Sequence, residues 1–168
     1  MNKEILYKIC KKSKIKNIQI QIHSHLLDED FVYSTTTLNQ KFHSASVGKM
    51  MTMVVIVQAI EKGLIGWDTR ISKLLSISTL EDLFVFNGID YAGEITVENL
   101  LGHTSGINDY IEGKSTMTSK FFKQIINNPD RFYTPNDLLE ITKKYQVAIG
   151  SPGDEFLYSD AGYVCLGY

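Results

Sequence analysis

The stretch "FHSASVGKMMTMVVIVQAIEKG", Phe42 to Gly63, sets the reading of this chain. Ser46 stands three residues before Lys49, an apolar run follows from Met50 to Ile60, and Gly63 comes just after Glu61 and Lys62. Residues three apart share one face of a helix, so the lysine amine can reach the serine hydroxyl. Apolar residues on nearly every side predict a buried helix, and the glycine predicts its end. Ser46 falls at the N-cap or in the first turn. A serine is a poor nucleophile while its hydroxyl keeps its proton. Burial against Met50–Val57 would lower the lysine pKa, and a neutral amine could then accept that proton. The helix N-terminus adds a positive dipole end beside the oxygen, and the Ser46 backbone N–H could face a developing oxyanion. The spacing alone is weak evidence, because Ser13 and Lys16 repeat it among solvated lysines.

Upstream, Lys3 to about Ser13 reads as a short amphipathic helix with Ile5, Leu6, Ile9 and Cys10 inward. "NIQIQIHS" alternates as a half-buried strand, "LLDED" reads as a turn, and "FVYSTTT" as the return strand of a hairpin. Downstream, "WDTRISKLL" predicts a short turn or helix. "ITVENLLGHTSGI" predicts a helix capped by Thr96 and closed by Gly102. In "TPNDLLEITKKY", Thr134 can cap, Pro135 suits the first helical position, and Asp137 completes a box-like spacing. "GSPGDEF" is a turn, and "YSDAGYVCLGY" opens a further helix near Asp160. The chain then stops at Tyr168 within an apolar run. With one hairpin in view, which is marginal alone, further sequence is expected after residue 168.

A chain of 168 residues suggests one domain, and its net charge of −2 provides no global attraction to nucleic acid or anionic lipid. The basic run "KICKKSKIK", Lys8 to Lys16, reads as the wet face of the first helix rather than a phosphate-binding arm. Cys10 and Cys165 read as reduced packing residues. The N-terminus has no apolar leader segment, and no run reaches membrane-spanning length, so a cytoplasmic location is the expectation. His23 and His25 alternate on one strand face as two metal ligands could, but no third ligand at suitable spacing accompanies them, and no metal is assigned.

Four blocks in order, "FHSASVGK", "GLIGWDTRISKLL", "ITVENLLGHTSGI" and "PGDEFLYSDAGYVCLGY", closely resemble the serine β-lactamase / penicillin-binding DD-peptidase superfamily. The class C β-lactamase, D-alanyl-D-alanine carboxypeptidase and esterase branch is the most similar. The resemblance runs from about Ile18 to the end. It implies Ser46 as the acylated nucleophile, Lys49 as the lysine assisting its deprotonation, and Tyr158 as a tyrosine relaying protons between nucleophile and leaving group. Asp160 stands in a substrate-binding position where the family usually carries asparagine. A carboxylate accepts hydrogen bonds but donates none, so this departure weighs against β-lactam or D-Ala-D-Ala preference and fits esterase-like or amidase-like members, or a pairing of Asp160 with Lys49. "GHTSG", with His103, Thr104 and Ser105, lacks the spacing of a nucleophile elbow and reads as a structural loop near the cleft. The family's third motif, a Lys-Thr-Gly or His-x-Gly strand, does not occur after Tyr158.

The expectation is therefore an α+β, incomplete β-lactamase/DD-peptidase-like fold. Residues 1–45 give a helix and hairpin, and residues 46–168 give the nucleophile helix and a helical lobe, with the C-terminal strands missing. The implied function is a serine hydrolase working through an acyl-enzyme on an amide, β-lactam or ester. The alternative is an inactive fragment or accessory binding module of that family. No cofactor is needed. The implied partners are a small-molecule or peptide-like acyl substrate and the missing C-terminal part of the same domain; nucleic acid is not among them.

Overall fold

The computed structural model describes residues 2–38, 40–113 and 116–168. They form two compact units, Met1–Ala45 and Ser46–Tyr168.

The first unit is a helix and a hairpin. Helix α1, Lys3–Lys12, is capped by the Asn2 side chain, which accepts from the Ile5 N–H, and its last turn carries Lys11 and Lys12 at the negative end of the dipole. Cys10 is buried and Leu6 half-buried, but Ile5 and Ile9 are exposed, against expectation. The helix meets a sheet only two strands wide, β1 (Gln19–Ser24) and β2 (Glu29–Ser34). Tyr7 makes that contact, its ring edge-on to Phe31 and Tyr33. The strands are antiparallel, with Ile22 opposite Phe31 and Ile20 opposite Tyr33. Glu29 and Asp30 belong to the return strand rather than the turn, and Asp28 takes the left-handed setting that the turn requires. The Asp30 carboxylate accepts from His23 Nδ1 at 2.6 Å, and His23 Nε2 lies 3.2 and 3.4 Å from the two nitrogens of His25, with the rings at 88°.

The second unit begins at Ser46, within a one-turn 3-10 helix, Ala45–Val47, that runs into α2, Gly48–Glu61. Short elements follow: α3 (Ile77–Leu80), a second hairpin of β3 (Val85–Phe86) and β4 (Ile89–Asp90), α4 (Val97–Leu101), α5 (Thr116–Asn127), α6 (Pro135–Tyr145) and α7 (Asp160–Leu166). Thr96 caps α4 and Thr134 forms its box with Asp137 as expected, and Asn99 adds to the Thr96 cap a reciprocal bond that the sequence reading did not include. The second hairpin, α3 and α5 were not foreseen. That hairpin turns at Asn87 and Gly88, both with positive φ, the Asn-Gly signature of a tight two-residue loop.

The core gathers Ile71, Leu80, Phe84, Ile95, Leu100, Ile107, Leu139, Ala161 and Cys165. α7 packs against α2, α4 and α6, and so ties the end of the chain to three helices. The expectation of a buried α2 is overturned: none of its residues is buried, and Met50, Met51, Met53, Val54 and Val55 stand exposed. The reason is length. α2 is 14 residues long and α7 only seven, about 21 Å against about 10 Å, so α7 can cover only part of one stripe of a helix that is apolar all round.

Candidate active site

Three segments of the second unit bring the site together. Ser46 lies in the 3-10 turn that leads into α2, one residue ahead of the α2 N-cap Val47 rather than at the cap itself. Ala45, just before it, has φ 45°, a left-handed setting that costs a residue with a Cβ about 1 kcal/mol. Lys49 is one turn along and its Nζ donates to Ser46 Oγ at 3.4 Å. The Tyr158 and Ser46 hydroxyls are 2.6 Å apart although 112 residues separate them in sequence. Asp160 opens α7, and its carboxylate pairs with the Lys49 ammonium. All four residues singled out in the sequence therefore meet at one place.

The loop carrying Tyr158 is held from several sides. Ser159 caps α7 by accepting from the Gly162 N–H, and its own N–H is accepted by His103 Nδ1 at 3.1 Å. The His103 ring lies on the rings of Tyr158 and Tyr163, with centroids 4.6 and 5.0 Å away. Asp109, 1% exposed, accepts from the backbone N–H groups of Ile111, Glu112 and Asp160. A buried carboxylate with three donors is satisfied and rigid. Gly106 makes the approach possible, with φ 77° and space so tight that a Cβ would lie 2.0 Å from the Gly150 carbonyl oxygen.

Electrostatics depart from expectation at Lys49. Burial does pull its pKa down, as anticipated. Hydrogen bonds and charge from Asp160 and Tyr158 more than offset that, and the net shift is upward. Lys49 is thus held as an ammonium rather than released as a neutral amine, and it also sits 4.8 Å from the Tyr158 ring centroid and 5.7 Å from that of Tyr163. His103 moves the other way: burial first, then the Lys49 charge, keeps its imidazole below the ordinary value and neutral. Cys165, deep in the core, has its thiol pushed up to about 12 by burial and is inert packing.

The sequence reading missed three contributors. His103 was placed in a structural loop, Tyr163 was one residue of a helix, and Asp109 was not marked. Nothing local announces them, since each acts through residues 51 to 60 positions away or through a ring stack. No group of three or more histidine, cysteine or acidic side chains suited to a metal occurs among the described residues. Among them, too, no helix is long and apolar enough to cross a membrane.

Comparison with known proteins places the geometry in context. The family model described as Beta-lactamase matches residues 32–168. Penicillin-binding protein 4* of Bacillus subtilis is 26% identical over 129 residues, covering 76% of this chain and 24% of that protein. Acyltransferase mokF of Monascus pilosus is 28% identical over 123 residues, covering 68% of this chain and 28% of its own length. Among solved structures, a D-stereospecific amidohydrolase from Streptomyces sp. superposes with a TM-score of 0.63 at 25% identity, over 83% of this chain and 39% of that one. The chain thus spans about a quarter of the length of these curated relatives.

Proposed function

Since the chain belongs to the beta-lactamase family, a family of acyl-transfer serine hydrolases, we propose that Ser46 is its acylated nucleophile and that Lys49 and Tyr158 manage the proton. The observation that carries this is the 2.6 Å approach of the Tyr158 hydroxyl to Ser46 Oγ, with the Lys49 ammonium 3.4 Å from the same oxygen. Ser46 Oγ attacks an acyl carbonyl, and its proton passes into the Lys49–Tyr158 pair. The acyl-enzyme forms as the leaving group departs with that proton. A water or alcohol then reverses the sequence and frees Ser46. The Ser46 N–H, at the head of α2, is available to the oxyanion.

The substrate class follows from Asp160. An amide at this position could donate to a substrate carbonyl, whereas an ionised carboxylate engaged with an ammonium cannot. We therefore assign esters ahead of β-lactams or acylated peptides. The test is covalent: a fluorescent alkyl phosphonate should modify Ser46, located by peptide mass, and Ser46→Ala should remain unmodified. Equal labelling of the alanine variant, or labelling at another residue, would reject the assignment.

A further inference from the structure

We propose that α1 is a docking surface for an anionic lipid bilayer, seated among the headgroups by a stripe of isoleucine edged with lysine. The surface belongs to the first unit alone and is independent of the chemistry at Ser46. The apolar spacing of α1 predicts Ile5 and Ile9 inward, with the lysines as a wet face. Instead both isoleucines turn outward, 54% and 61% exposed, while Leu6 and Cys10 carry the packing. Four residues apart, Ile5 and Ile9 form one stripe along the helix. Lys8 stands three residues after Ile5 and Lys12 three after Ile9, so each isoleucine has a lysine beside it on the same face. A lysine so placed lays its aliphatic stem along apolar surface and raises its ammonium to the polar layer.

Charge is segregated to match. Six of the 17 basic side chains lie in residues 1–16, with one of the 19 acidic ones, although the whole chain carries −2. Lys8, Lys12, Lys14 and Lys16 are exposed, and among the described residues none of these four pairs with a carboxylate. Screening limits fields to about 10 Å at 0.1 M salt, so the charge within reach of the headgroups counts rather than the net charge. Each lysine at an anionic leaflet strengthens binding about fivefold.

The helix presents this side already folded. Asn2 caps it, Tyr7 lies edge-on to Phe31 and Tyr33, and Lys3 pairs with Glu29 at 3.4 Å. Docking therefore orders no new helix. Glu29 opens β2 directly after the turn that carries Leu26 and Leu27, 93% and 59% exposed, so two further apolar side chains stand near the Lys3 end of α1. A nucleic acid would use the lysines and leave the apolar side chains idle. The one aromatic residue of α1, Tyr7, is engaged with the sheet rather than set out for a base to stack on. A bilayer uses both the charge and the apolar stripe.

Flotation of the purified chain with phosphatidylcholine vesicles, with and without about 30% phosphatidylserine, tests this. At about 0.1 M salt the chain should float with the anionic vesicles and not with the neutral ones, and about 0.5 M salt should release it. Ile5→Ser/Ile9→Ser and Lys8→Gln/Lys12→Gln should each weaken binding about tenfold or more, with α1 retained by circular dichroism. Met51→Ser/Val55→Ser, on the exposed side of α2, should bind as the wild type does. Absence of binding to anionic vesicles would overturn the proposal and give the stripe to a protein surface. Equal binding to neutral vesicles, or loss of binding in the α2 variant alone, would overturn it too. So would undiminished binding by either α1 variant: without need of the isoleucines the lysines would serve any polyanion, nucleic acid included.

Discussion

The imidazole of His103 lies against the phenol ring of Tyr158, planes 31° apart and centroids at 4.6 Å, while its Nδ1 accepts the N–H of the next residue, Ser159. One side chain thus sets both the ring and the backbone of the tyrosine loop. His103→Ala should leave that N–H without its partner and let the phenol drift from Ser46. Displacements of about 1 Å cost reactions up to about a hundredfold, so phosphonate labelling of Ser46 should slow by about ten- to a hundredfold.

The same contact carries a pH dependence. Burial and the Lys49 charge lower the His103 pKa in the folded chain, so the unfolded chain binds the extra proton first as pH falls. The stabilisation is complete above the ordinary imidazole value of 6.5 and is lost as acidification proceeds below it. Chemical denaturation at neutral and mildly acidic pH should show the wild-type midpoint falling more steeply than that of His103→Gln, which has no group to protonate there.

Asp109→Ala removes the acceptor for three backbone N–H groups in a nearly water-free place. A loss of about 3 kcal/mol is expected from denaturant midpoints, and Asp109→Asn, which keeps one acceptor oxygen, should recover part of it.

Gly106→Ala asks for a Cβ 2.0 Å from the Gly150 carbonyl oxygen at a φ of 77°. Neither the contact nor the dihedral can relax without moving the strand of chain at Ile149, whose N–H bonds Gly106 O at 2.9 Å. Destabilisation of about 3 kcal/mol or more should follow, readable through the fluorescence of Trp67, the sole tryptophan.

The outer side of α2 predicts behaviour in the opposite direction. Met51 and Val55 are one helical turn apart and 66% and 63% exposed. Changing both to lysine should alter stability by no more than about 0.5 kcal/mol each, while sedimentation of concentrated samples shows less self-association.

Much of this arrangement was legible in the residues. Caps are local grammar: Thr96 announced α4 as an N-cap, and Thr134 with Asp137 announced α6 because both halves of that box lie within four positions. The Ser46–Lys49 spacing and the tyrosine block named the participants. What the sequence withheld was distance between segments. The apolar run of α2 predicts burial because hydropathy records what a helix prefers to face, not whether a neighbour long enough is present. Lys49 was expected to be neutral because its burial could be read from the run beside it, while the carboxylate that reverses the shift lies 111 residues further on. The β3–β4 turn is different, for its Asn87-Gly88 pair was plain to see and its flanking strands, two residues each, were too short to draw notice.

The 112-residue span between the Ser46 hydroxyl and the Tyr158 phenol also sets an order of events during synthesis. A ribosome that has released the chain only as far as Gly150 presents the alcohol and the amine without the group that would close over them, and without the carboxylate that charges the amine. Both the hydroxyl contact at Ser46 and the ion pair at Lys49 therefore wait for residues that leave the ribosome 112 and 111 positions later.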